Sequence, residues 1–156
     1  MAEARRRTTL FRILLTLSFV GGSWNMFTGL SNAFSEPNIE RQEQLIEYFE
    51  GIEVEPGTEF LVEELKTFIH NITMNVANYG VFEFMFNSIS LIGVFLMFQF
   101  RRVGFWVYCI AQLLLLMNPI LFGGYSLLSV TLTFTYSFIT MIFIALYSTQ
   151  LKYMDA

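Results

Sequence analysis

Residues 76–122 read VANYGVFEFMFNSISLIGVFLMFQFRRVGFWVYCIAQLLLLMNPILF. Two apolar runs meet at the basic pair Arg101-Arg102. A helix needs about 20 predominantly apolar residues to cross the hydrocarbon core of a bilayer. The run from Val76 to Phe100 reaches that length. The run from Val103 reaches it only by continuing through Asn118-Pro119 to Phe122. The basic pair leaves room for no more than a tight connection, so the two runs are expected to lie antiparallel and in contact.

Working outward, a second such pair flanks the first. An apolar segment covers residues 10–34 and another covers 125–149, giving four candidate spans at 10–34, 76–100, 103–122 and 125–149. Pro119 and Gly123-Gly124 mark a turn before the last of them. The whole chain agrees with this reading. Of its 156 residues 54% are apolar, its charged share is 14%, and its mean hydropathy is +0.53. A soluble domain is about 45–50% apolar, even counting glycine, and about a quarter charged. The expected fold is all-α: an integral membrane four-helix bundle with an amphipathic helical insert, residues 35–75, outside the membrane between the first two spans.

Lys and Arg set the orientation. Arg5, Arg6 and Arg7 precede the first span, Arg101 and Arg102 join the second to the third, and Lys152 follows the fourth. With an even number of spans these fall on one side, so both termini are expected in the cytoplasm of a bacterial inner membrane or its equivalent. Trp24, Tyr79, Trp106, Tyr108, Tyr125 and Tyr147 sit mostly near span ends, as interfacial aromatics do. A cleaved signal peptide competes at the N-terminus, because Ser31-Asn32-Ala33 resembles a small-x-small cleavage site. The long apolar stretch before that site favours an uncleaved first span.

The insert carries ten of the thirteen carboxylates, between Glu36 and Glu64. Glu36, Glu40, Glu43, Glu47 and Glu50 recur at steps of four and three. They would form one acidic stripe on a helix that starts in the turn holding Pro37 and ends at Gly51. Ile39, Leu45, Ile46 and Phe49 form an apolar arc on another side. Pro56-Gly57 reads as a turn and Thr58 as the cap of a second helix, with Leu61, Leu65, Phe68, Ile69 and Ile72 at helical spacing. Without a breaker before Gly80, that helix is expected to run on into the second span. The stripe is either a solvated face or a docking face for a basic partner or for divalent cations.

Within the spans, Glu83 is the only carboxylate, and Asn87 and Ser90 share its helical face. An acid inside a membrane segment is a candidate ion, proton or binding site. Ser18, Gly22, Asn25 and Gly29 share a face of the first span. Ser129, Thr133, Ser137 and Thr140 share a face of the fourth. Small and hydroxyl residues let membrane helices approach closely, so both stripes read first as packing faces. A polar conduit lined by them with Glu83, Asn87 and Gln112 is the second reading. Residues 129–138 alternate with the period of a strand, but a lone strand in lipid would leave its backbone unpaired.

Nothing in the sequence calls for a cofactor, a metal or catalysis. His70 has no zinc-spaced companions, Cys109 reads as a packing residue, and Asn71-Ile72-Thr73 is a short glycosylation sequon. No nucleic-acid motif occurs. The expected partners are the lipid bilayer and a protein, or a second copy of the chain. The leading functional expectation is a non-enzymatic accessory, assembly or regulatory subunit acting through its acidic cap and bundle. The alternative is a small channel or transporter with Glu83 at its outer entrance.

Overall fold

The computed structural model describes residues 9–51, 57 and 59–154. It is helical, with no strand among the described residues. Four helical stretches are long and apolar enough to cross a membrane: Thr9–Ala33, Val76–Phe98, Arg102–Gly123 and Leu127–Tyr153. The first is α1. Between the first and second lie α2 (Ile39–Glu50) and α3 (Glu59–Met74). The second is α4 (Val76–Phe98). The third is broken into α5 (Arg102–Leu115) and α6 (Asn118–Gly123), and the fourth consists of α7 (Leu127–Ser148) and a 3-10 turn at Leu151–Tyr153.

Helix α4 is the hub. It lies against α1 on one side and α5 on the other, with backbones in direct contact at two glycine pairs. A methyl group at Gly29 would lie 2.6 Å from the Phe84 nitrogen and 3.0 Å from the Gly80 oxygen. At Gly93 it would lie 2.7 Å from the Tyr108 nitrogen and 2.8 Å from the Gly104 oxygen. Only glycine admits such contact. Without a hydrophobic drive between helices in lipid, close van der Waals packing of this kind is a main source of association. Helix α7 touches α1 and α5 more sparsely, with Tyr147 reaching Ser18 and Tyr108 across the gaps.

The α4–α5 connection is as short as the arginine pair requires. Phe100 NH donates to Met97 O at 2.9 Å and Arg101 NH to Leu96 O at 3.0 Å, a Schellman pattern. Phe100 occupies its left-handed position (φ 62°), where glycine is usual. Arg102 Nε then donates to Met154 O at 3.1 Å, tying the end of the described chain to the start of α5. Beside this knot lies the hydrophobic core: Phe11, Leu14, Leu15, Val94, Met97, Phe105, Tyr108, Cys109, Tyr147 and Met154. Tyr108 and Tyr147 are therefore core residues, stacked edge to face at 5.3 Å, rather than interfacial ones. Trp24, Trp106 and Tyr125 are exposed.

At the opposite end α2 and α3 run antiparallel. Gln42 Nε2 lies 3.0 Å from His70 Nδ1, and Lys66 Nζ bridges Glu50 at 2.7 Å and Glu63 at 3.1 Å. Both carboxylates accept hydrogen bonds from the ammonium and hold its pKa above the usual 10.5. Three expectations for the insert need correction. Helix α2 begins one turn later than the glutamate spacing implied, because Asn38 is its N-cap, accepting from Arg41 NH at 2.9 Å. Pro37 and Glu36 precede that cap, so Glu36 is outside the helical stripe. The inward face of α2 is centred on buried Gln42 with half-buried Ile46 and Phe49, leaving Ile39 and Leu45 exposed. Finally, α3 does not run unbroken into α4. Asn75 interrupts them, although its NH still reaches Asn71 O at 3.1 Å and Tyr79 NH reaches its carbonyl at 2.8 Å. The expected Pro56-Gly57 turn and Thr58 cap involve residues outside the described ones.

That interruption lets α3 fold across the bundle end and latch onto the α6–α7 turn. Glu64 Oε2 accepts from Leu127 NH at 2.9 Å, placing a carboxylate at the positive end of α7. Asn71 Nδ2 donates to Gly123 O at 3.1 Å, so the sequon nitrogen already has a structural partner. Phe68 packs against Gly123, and Gly124 turns the chain at φ 84°.

Candidate functional site

Between the core and the cap the bundle is not filled. Two adjoining pockets, each about 210 Å³, lie along its axis and share Asn25, Asn87, Gln112 and Thr140. One residue comes from each of α1, α4, α5 and α7. The pocket towards the cap adds Tyr79, Glu83, Asn118 and Tyr136. The pocket towards the core adds Ser18, Gly22, Tyr108 and Phe143. Beyond it the packed aromatic and aliphatic cluster closes the bundle. Asn25 and Tyr136 are exposed on the rim between α1 and α7, where those helices barely touch.

The break between α5 and α6 helps to build this site. Pro119 has no NH to donate, and its ring opposes the carbonyl of residue 115. The chain leaves regular helix at Leu116-Met117 and resumes at Asn118. Irregular backbone at membrane depth is tolerated where protein or a cavity surrounds it. Here it sets Asn118 and Pro119 into the cavity wall, both buried.

The polar side chains differ in how well they are satisfied. Asn87 Nδ2 donates to the Glu83 carbonyl at 2.8 Å, and Gln112 Nε2 donates to Ser90 Oγ at 2.9 Å. Tyr147 OH donates to Ser18 Oγ at 3.0 Å. By contrast Glu83 Oε2, Asn118 Oδ1 and Thr133 Oγ1 are buried without a hydrogen-bond partner. Two of these three, on Glu83 and Asn118, belong to residues lining the same pocket.

The residues singled out from the sequence divide accordingly. Glu83 and Asn87 line the cap-side pocket, and Ser90 supports it through Gln112. Ser18, Gly22 and Asn25 face the cleft, whereas Gly29 meets the backbone of α4. Thr140 lines both pockets; Thr133 and Ser137 are half-buried, and Ser129 is wholly buried at the start of α7. Glu40, Glu43 and Glu47 are exposed and Glu50 is engaged by Lys66. Asn118, Tyr79 and Tyr136 were missed. An asparagine directly before a proline inside an apolar run was the available signal for the first. No group of three or more His, Cys, Asp or Glu side chains placed to hold a metal occurs among the described residues. Comparison with family models, curated proteins and solved structures gives no match.

Proposed function

We propose that the protein is a multi-pass membrane protein without catalysis of its own, an accessory, assembly or regulatory subunit that acts through contacts of its cap. In this reading both termini are cytoplasmic and the cap lies outside. The observation that carries it is the latching of α3 to the α6–α7 turn by Glu64 and Asn71. A loose loop needs no such anchoring. The latch holds the cap on the bundle while Glu40, Glu43 and Glu47 stay exposed beside uncovered Ile39, Leu45 and Tyr48. Charged and apolar groups mixed on a fixed surface suit a protein partner with basic residues. The test is affinity capture of the full chain from its native membrane in mild detergent. Replacing Glu40, Glu43 and Glu47 together by Lys should abolish co-purification of a stoichiometric partner without lowering the melting temperature. Identical captured sets for wild type and variant would sink the proposal.

The polar cleft favours a second reading, a small channel or transporter with Glu83 near its outer entrance. Its weakness is the closed core below Tyr108 and Phe143. Flux through proteoliposomes that falls on Glu83→Gln would support this reading, and unchanged flux would remove it.

A further inference from the structure

The cap-side pocket has a chemistry more specific than either functional reading requires. Its two orphaned atoms, Glu83 Oε2 and Asn118 Oδ1, are both acceptors. Asn118 is only 5% exposed and lines the pocket. The amide NH₂ groups of Asn87 and Gln112 are directed to protein oxygens. The Tyr79 hydroxyl, which hydrogen-bonds the Asn118 side chain, and Tyr136 line the same pocket, but no Lys, Arg or His does, so Glu83 has no counter-charge there. A carboxylate in a cavity without a counter-charge is costly to bury, so Glu83 calls for a cation from outside the chain.

We infer that this pocket binds a primary ammonium group, held between Glu83 and Asn118. A carboxylate and an amide oxygen suit a cation that brings several N–H donors. A quaternary ammonium brings none and would leave both acceptors unpaired. A divalent metal would find a single carboxylate, since Glu83 is the only acid that lines the pocket. The volume of about 210 Å³ corresponds to roughly seven waters at about 30 Å³ each. That is room for an aminoethyl group with some of its hydration.

Two sources present this chemistry. One is a free amine arriving from the water at the cap. The other is an ethanolamine phospholipid entering sideways between α1 and α7, past exposed Asn25 and Tyr136. Glu83 lies seven residues into α4, about 10 Å at 1.5 Å per residue, within reach of a headgroup that dips below the interface.

The full chain is tested in two arms. In the first, protein equilibrated in micelles containing equal phosphatidylethanolamine and phosphatidylcholine of matched acyl chains is examined by native mass spectrometry. In the second, ethanolamine or choline is titrated into nanodiscs of phosphatidylcholine alone and the melting temperature is read. One charge-assisted hydrogen bond is worth about tenfold in affinity, so about tenfold discrimination is expected in at least one arm. Discrimination in the first arm alone identifies the lipid; in the second alone, the free amine. Glu83→Gln and, separately, Asn118→Leu should erase it, while Thr135→Val on the exposed side of α7 should not. Two variants keep the test decisive if one fails to fold. Equal binding of primary and quaternary amines in both arms, or discrimination that survives both pocket variants, overturns the proposal.

Discussion

The two ends of this bundle solve the same packing problem in opposite ways. Around the α4–α5 turn, Phe11, Leu15, Met97, Tyr108, Tyr147 and Met154 fill the space between helices, and the Tyr147 hydroxyl has a partner in Ser18. Towards the cap the same four helices enclose a polar cleft with two unpaired acceptors from Glu83 and Asn118. The difference teaches that the bundle's cohesion does not depend on the cleft. Tight seams at Gly29/Gly80 and Gly93/Gly104, together with the core, hold the helices. The cap is then fastened by Glu64 and Asn71 to the α6–α7 turn. Stability and polar chemistry occupy different lengths of the same helices.

The contrast can be broken most severely at the glycine seam. In Gly104→Val the first added carbon would lie 2.5 Å from Gly93 O and 2.6 Å from Met97 N, backbone atoms that cannot step aside. A loss of about 3 kcal/mol is expected, read as a fall in melting temperature in detergent. Gly21→Ala, with nothing within 4 Å, is the control that should melt no lower than wild type.

A smaller change is expected in the cleft. Asn118→Leu removes a buried acceptor without a partner but also the side chain that hydrogen-bonds the Tyr79 hydroxyl, so the two effects oppose and the net change should stay within about 1 kcal/mol. If it destabilises by more than that, Asn118 has a structural role and the division between the two ends is less clean. Next in size is Tyr147→Phe at the packed end. It removes the hydrogen bond to Ser18 and should cost about 0.6 kcal/mol, typical of such bonds between membrane helices. A fall much larger than that would show the core seam relying on one hydroxyl.

The smallest effect lies in the cap. Lys66 gains Glu50 and Glu63 on folding, which raises its folded-state pKa above 10.5. The stabilisation is complete below pH 10.5 and is lost as pH rises through that higher value. Since the pair is largely solvated, the effect is modest and screened by salt. The melting difference between wild type and Lys66→Met should shrink only at the alkaline end. A difference that shrank near neutral pH would exclude the ion pair as its source.

Much of the architecture was legible because a bilayer is a demanding solvent. Four stretches of sufficient length and apolarity are readable from composition, and helix is the form in which one segment satisfies its own backbone there. Even residues 129–138, with their strand-like alternation, lie in α7. Local patterns were less reliable in the insert. Glutamate spacing pointed to a start near Pro37, but Asn38 supplied the better cap. The inward face of α2 was hidden because a glutamine, Gln42, lies at its centre and finds His70 on another helix.

By itself, then, the sequence determined the helical class, the four apolar helices and a helical insert, because each depends on residues within one segment. Tertiary structure decided which polar residues matter. Asn25, Glu83, Asn118 and Tyr136 are up to 111 positions apart in the chain and meet only when α1, α4, α6 and α7 assemble. Whether an acceptor is orphaned depends on what neighbouring helices bring to it, and the spacing within one helix carries no record of that.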